Sequence, residues 1–251
     1  MIKYLFVTFL IAVVLVGCKK VTESPSSLGL TDITAYYPMK VGSVFIYRMD
    51  STTYLQTITT SHYLAKDSVV NTFIDTQGRT CYYIFRYLTD TLASQPYQYN
   101  QSYYVTYGSN KIEVLDANNR RFIPLVNPVS YNTTWDGNSN FDTDSTLESI
   151  SQSTSYVGWT YQYTSINQPY TVIDSTFPNT TTILQNADST ALTFDPNFIY
   201  TYIYSTEVYA QGVGLIYKQC NAYTWQPPAS PNAGYYEDGS FGITLNLVSY
   251  K

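Results

Sequence analysis

The chain has 251 residues, 13 of them basic and 18 acidic, with a net charge of −5 and a pI near 4.7. An acidic chain whose later part has no basic cluster beyond Arg120-Arg121 argues against nucleic acid as a partner. Past Cys18, one histidine and two distant cysteines, Cys81 and Cys220, cannot make a conventional zinc site.

In chain order, one positive charge (Lys3) precedes an apolar run from Leu5 to Val16 broken only by Thr8. That run falls short of the roughly 20 residues a membrane-spanning helix needs, and its layout is that of a secretory signal. Leu15-Val16-Gly17-Cys18 resembles the lipobox of bacterial lipoproteins. The resemblance implies a diacylglycerol on the Cys18 thiol, cleavage before Cys18 and acylation of the new amino group. Several acyl chains give stable anchoring without a span. "KKVTESPSSLGL" (19–30) is polar, rich in Ser, Pro and Gly, and reads as a flexible tether. The expected organisation is a signal peptide over 1–17, a lipidated cysteine and tether over 18–35, and one all-β domain over 36–251.

From Tyr36 onward the pattern has period two. "SVFIYRM" (43–49), "TCYYIFRYL" (80–88), "QSYYVTY" (101–107), "KIEVL" (111–115), "YVGWTYQY" (156–163), "NFIYTYIY" (197–204), "GLIYK" (214–218) and "FGITLNLVSY" (241–250) are rich in aromatic and β-branched residues. Such residues suit a pleated, half-buried surface. Turn signals lie between them, among them "DTQGR" (75–79), "YGSN" (107–110), "DANN" (116–119), "DGNSN" (136–140) and "EDGS" (237–240). No window carries an amphipathic helix. The expectation is a single antiparallel all-β domain, strongly curved or partly closed like a barrel, because open edges on so many strands invite aggregation.

The 28 tyrosines far exceed ordinary usage. Either the sheet packs Tyr where others use Ile and Phe, or aromatic stripes form a platform for sugars or a partner protein. The candidate stripes are Tyr200, Tyr202 and Tyr204, and Trp159, Tyr161 and Tyr163. Cys81 and Cys220 either pair, as an oxidising compartment permits, or stay buried free thiols.

Catalytic constellations are not visible. His62 has no nucleophile-elbow sequence with it, and none of Glu23, Glu113, Glu148, Glu207 and Glu237 sits in a telling motif. "DGNSNFDTD" (136–144) starts like a calcium loop, but Phe141 replaces the turn glycine and Leu147 the bidentate glutamate. No metal or other cofactor is expected. Asp followed by Ser or Thr recurs at Ser51, Ser68, Thr91, Ser145, Ser175 and Ser189. These triplets resemble the O-glycosylation acceptor of exported Bacteroidota proteins, or they serve turn chemistry through side-chain-to-backbone bonds.

Several segments together resemble a group of uncharacterised lipoproteins from Bacteroidota. "YYPMKVGSVFIYRMDST" (36–52) is similar to the group's Tyr-x-Pro opening, with Met39 and Phe45 where Leu and Trp are usual. "TWDGNSN" (134–140) carries its Trp-x-Gly-Asn element. "EVYAQGVGLIYKQ" (207–219) and "GSFGITLNLVSY" (239–250) match its last strands. The resemblance implies an outer-membrane lipoprotein of a Gram-negative bacterium and supplies no catalytic residue. Lys19 and Lys20 depart from the acid-rich start of surface-exported members, so both periplasmic and surface orientations stay open. The expected function is a non-enzymatic binding or assembly module, held to the membrane by its anchor, with a glycan or envelope protein as partner. A lipid or lipoprotein carrier with an apolar cavity is the alternative, and a hydrolase with an unrecognised carboxylate pair the third.

Overall fold

The computed structural model describes residues 32–140 and 156–251. The signal segment, Cys18, the tether through Thr31 and Ser145 lie outside the described residues. One helical turn, α1 (Ile33–Tyr36), precedes thirteen strands: β1 (Val44–Thr53), β2 (Thr59–Ile74), β3 (Thr80–Asp90), β4 (Gln98–Tyr107), β5 (Lys111–Leu115), β6 (Arg121–Val126), β7 (Thr134–Trp135), β8 (Tyr161–Val172), β9 (Ser175–Ser189), β10 (Tyr200–Ala210), β11 (Gly214–Gln226), β12 (Tyr235–Tyr236) and β13 (Phe241–Tyr250). They form one antiparallel sheet in the order β6-β5-β4-β3-β2-β1-β13-β11-β10-β9-β8-β7, with β12 paired to β11. The sheet curls into a nearly closed barrel, so the all-β expectation holds. Ordered backbone begins before residue 36, because Asp32 caps α1 and Ile33 is buried.

Alternation decides what faces inward. On β13, Leu245 and Leu247 are buried while Thr244 and Asn246 are only half-buried. On β1 the inward set is Phe45, Tyr47 and Met49. The distal half of the β8–β9 hairpin follows three register shifts on β8. It folds back over the outer face, placing Tyr170 on Tyr217 and Phe177 on Tyr250.

Closing the barrel requires β6 to meet β7 and β8, and no strand pairing joins them. Two side chains and one backbone bond do this instead. The Tyr163 hydroxyl donates to the Val126 carbonyl at 2.7 Å and accepts from the Val126 amide at 3.0 Å. The Trp135 indole donates to the Ile123 carbonyl at 2.7 Å, and the Ile123 amide donates to the Gly137 carbonyl at 2.7 Å. Gly137 is needed there, because a Cβ would lie 2.3 Å from the Tyr161 ring. Pro124 fits an edge strand such as β6, where a missing donor breaks no ladder.

Tyr163→Phe keeps the ring and removes both hydroxyl bonds. Denaturant unfolding is expected to show a loss of about 1–3 kcal/mol, read as a lower midpoint at unchanged slope.

Candidate functional site

The two ends of the barrel differ. At one end α1 forms a plug: the Ile33 amide donates to Asn127 Oδ1, the Tyr36 hydroxyl to Asn167 Oδ1, and the Gly212 amide to the Ala35 carbonyl. The Tyr107 hydroxyl donates to the Tyr37 carbonyl just beyond it. Gly212 sits in the β10–β11 turn at φ +78, a left-handed conformation that suits glycine. The opposite end carries the β5–β6 turn, whose Ala117 and Asn118 are exposed.

A cavity of about 330 Å³ reaches from that turn into the barrel. Phe122, Tyr156, Trp159 and Phe241 line it toward the open end, with Ile243 and Leu245 along the wall. Arg120 lies over the Phe122 and Tyr156 rings at 5.7 and 5.2 Å and binds Asp116. The size is at the low end of small-molecule sites, which span roughly 300–1,000 Å³.

Two buried ion pairs mark its inner part. Arg86 makes a bidentate contact with Asp67 at 2.7 and 2.6 Å, and the Tyr103 hydroxyl donates to the same carboxylate at 2.9 Å. Glu207 accepts from Lys218 Nζ at 2.8 Å and from the Tyr209 hydroxyl at 2.5 Å. Every oxygen of these two carboxylates therefore accepts at least one hydrogen bond. Burial lowers the Arg86 and Lys218 affinities for protons, but Asp67 and Glu207 more than offset it and hold both above their ordinary values. Burial, then the nearby carboxylates, pushes the Tyr37, Tyr103 and Tyr209 phenols well above the usual range, so they stay donors. Carboxylates held by charged and phenolic donors suit positioning rather than proton transfer.

No family model and no curated protein matches the chain. A crystal structure from Bacteroides fragilis, of a protein described as exported with a YmcC-like fold, aligns over 86% of this chain and 98% of its own. The identity is 9% and the TM-score 0.35. A match that remote assigns neither fold nor activity.

The two aromatic stripes have opposite fates. Trp159, Tyr161 and Tyr163 face inward at 5, 2 and 0% exposure, the first two lining the cavity and the third closing the seam. They offer no outer platform. Tyr200, Tyr202 and Tyr204 do share the outer face of β10, since the inward set is Ser205, Glu207 and Tyr209. The Tyr200 and Tyr202 rings pack on neighbouring rings rather than lying open. Tyr202 is 6.4 Å from Tyr200 and 5.3 Å from Tyr223, and Tyr223 is 4.7 Å from Tyr54. A second row on β2–β4 joins Phe73, Tyr104, Tyr83 and Phe85 in the same way.

The suggested Cys81–Cys220 bridge is corrected: both are buried free thiols. β2, β1 and β13 separate β3 from β11, and strand spacing of about 4.8 Å puts such positions far beyond the roughly 7 Å limit for a disulfide. His62 pairs with Asp50 at 2.6 Å on the exposed outer face. In the 136–140 turn, Asp136 caps the Asn138 amide, Asn138 holds the Tyr161 hydroxyl and Asn140 reaches Glu113, so these side chains serve the protein's own contacts. Of the Asp-Ser/Thr sites, Thr91, Ser175 and Ser189 are exposed beside hairpin turns, while Ser51 and Ser68 are half-buried on strands. Asp90, preceding Thr91, caps the Leu92 and Ser94 amides, which is turn chemistry.

Sequence reading missed Asp67, Arg86, Glu207 and Lys218. The available signal was a charge in the inward phase of an aromatic strand, such as Arg86 in "YYIFRYL". An inward charge demands a buried partner.

One further charge cluster holds strands together. Glu113, with a side chain 4% exposed, accepts from Arg79, Arg121 and Lys111 at 2.9, 2.8 and 2.7 Å. Burial raises its proton affinity, but the Lys111 and Arg121 contacts outweigh this and lower its pKa below the usual 4.5. A depressed folded pKa gives stability that is full above the unfolded value and lost as pH falls through the folded one. Glu113→Gln is expected to cost about 2 kcal/mol at pH 7 and to flatten the decline below pH 4.5. Urea midpoints measured from pH 3 to 7 check both.

Proposed function

We propose that this chain is a lipid-anchored outer-membrane protein of a Gram-negative bacterium and a non-enzymatic binding module whose ligand occupies the barrel. The lipobox-like sequence ending at Cys18 supports the anchor. The observation that carries the binding reading is the cavity, which opens at the end opposite α1. The cavity is too small for a two-chain lipid, which weighs against a lipid carrier. Carboxylates already saturated by donors weigh against a hydrolase.

Protein isolated from native envelopes is expected to begin at Cys18 with an acylated mass. Native mass spectrometry should retain a bound molecule of a few hundred daltons, which cavity-filling Cys220→Phe expels. A non-acylated mass would sink the anchor, and an unoccupied wild-type protein the ligand. The same spectra report whether Thr91, Ser175 or Ser189 carries O-glycan.

A second reading is contact with a glycan or envelope protein through the outer tyrosines. It is favoured by Phe198 and Tyr235, exposed at 68 and 50% around the open end. Glycan-array binding lost in a stably folded Tyr202→Ala variant would support it. Unchanged binding would oppose it.

A further inference from the structure

Lys218 stands out inside the barrel. It lies opposite Glu207 on β10 and Leu245 on β13, both inward positions. Its side chain is nevertheless 32% exposed, against 7% for Glu207. Because the residue faces inward and lines the cavity, that exposed surface belongs to the cavity. An ammonium has three N–H donors, and Glu207 takes one of them at 2.8 Å. A charged donor therefore borders a space whose wall mixes rings and aliphatic side chains with neutral polar groups, Gln101, Gln185 and Ser205 among them.

The charges around it constrain what fits. Lys218 is balanced by Glu207, Arg86 by Asp67, and Arg120 by Asp116. An anion approaching Lys218 would meet the Glu207 carboxylate, and a cation would meet the ammonium. An ion brought into such an enclosed space loses hydration that the balanced wall does not return. A neutral molecule avoids that cost, and a neutral oxygen can still accept a charge-assisted bond from the ammonium. Toward the open end the half-buried Phe241 adds flat apolar surface to the lining, which suits a ring.

We propose that the cavity takes a small neutral ring compound whose carbonyl oxygen accepts a hydrogen bond from Lys218. This rests on the reading of the barrel as a binding module. Glu207 keeps the Lys218 amine protonated, so the contact is a hydrogen bond and no imine forms.

Cys220 supplies the test. It lies two residues after Lys218, lines the same cavity and is a free thiol, whereas Cys81 does not line it. Burial raises the Cys220 thiol pKa, so iodoacetamide alkylation is followed at pH 9 in the full lipid-anchored protein, by peptide mass spectrometry. Three probes of one shape are compared: 2-acetylnaphthalene, a neutral ketone; 2-ethylnaphthalene, without oxygen; and 2-naphthoate, an anion. The ketone is expected to slow Cys220 alkylation at concentrations about tenfold or more below the other two, with Cys81 unaffected.

The double variant Lys218→Met with Glu207→Gln removes the pair without leaving a lone buried charge. It should erase the ketone's advantage while keeping protection by 2-ethylnaphthalene. Equal protection by all three probes, stronger protection by the anion, or a ketone preference that survives the double variant overturns the ligand class and leaves the cavity reading standing. Failure of every probe to protect an alkylatable Cys220 overturns both.

Discussion

The barrel depends on a hydroxyl. A curled antiparallel sheet must either leave two edges open or join them, and here the last strands on each side meet without a ladder. Tyr163 substitutes for one by donating to and accepting from the same residue, Val126, as a paired strand would. Trp135 reaches across to Ile123 beside it. Both bonds need a rigid ring long enough to cross a gap that the backbones bridge directly between Ile123 and Gly137. Once the seam is shut, the inward side of every strand becomes interior, and the cavity exists only because of that enclosure.

The same device recurs throughout the molecule and explains the tyrosine content physically. Tyr36, Tyr47 and Tyr107 tie the plug and wall to Asn167, Leu215 and Tyr37, and Tyr103 and Tyr209 satisfy the interior carboxylates. A Phe or Ile at these positions would bury as much apolar surface but leave polar groups without a donor, which is costly inside a protein. No buried side-chain nitrogen or oxygen among the described residues lacks a partner. On the outside, tyrosines pair across strands, as Tyr202 with Tyr223 and Tyr83 with Tyr104. There the stacked faces contribute to the sheet itself.

How much was legible follows from what each strand shows on its surface. β1, β3, β4, β5 and β13 were read from aromatic and β-branched alternation. β9 was not, because "STFPNTTTILQNADS" is dominated by Thr, Ser and Asn, and its place in the sheet is set by pairing with β8 and β10. β6 contains Pro124, which speaks against a central strand and is tolerated only because the strand is an edge. β7 and β12 have two residues each and carry no periodicity. Residues 156–159 continue an aromatic pattern but precede β8, because there Trp159 packs on Tyr156 instead of joining a ladder. Period two says that residues alternate, not which phase is inside. Trp159, Tyr161 and Tyr163 could be placed on one face by sequence alone, but only closure of the barrel shows that this face is the interior.

The segments behind the family resemblance gain a physical reading from this geometry. Trp135 and Gly137, from the Trp-x-Gly-Asn element, form the seam with Ile123, and Asn138 anchors the Tyr161 hydroxyl. The "EVYAQGVGLIYKQ" segment holds both Glu207 and Lys218, set opposite each other by the β10–β11 register. An ordinary hairpin would gain little from burying an ion pair, since a hydrophobic pair of similar volume is often as stable or more so. Beside a cavity the cost of burial falls, because the Lys218 side chain stays partly exposed while its ammonium binds Glu207. The two motifs thus divide the labour of one site: the first shuts the wall that makes an interior, and the second places a charged donor within it.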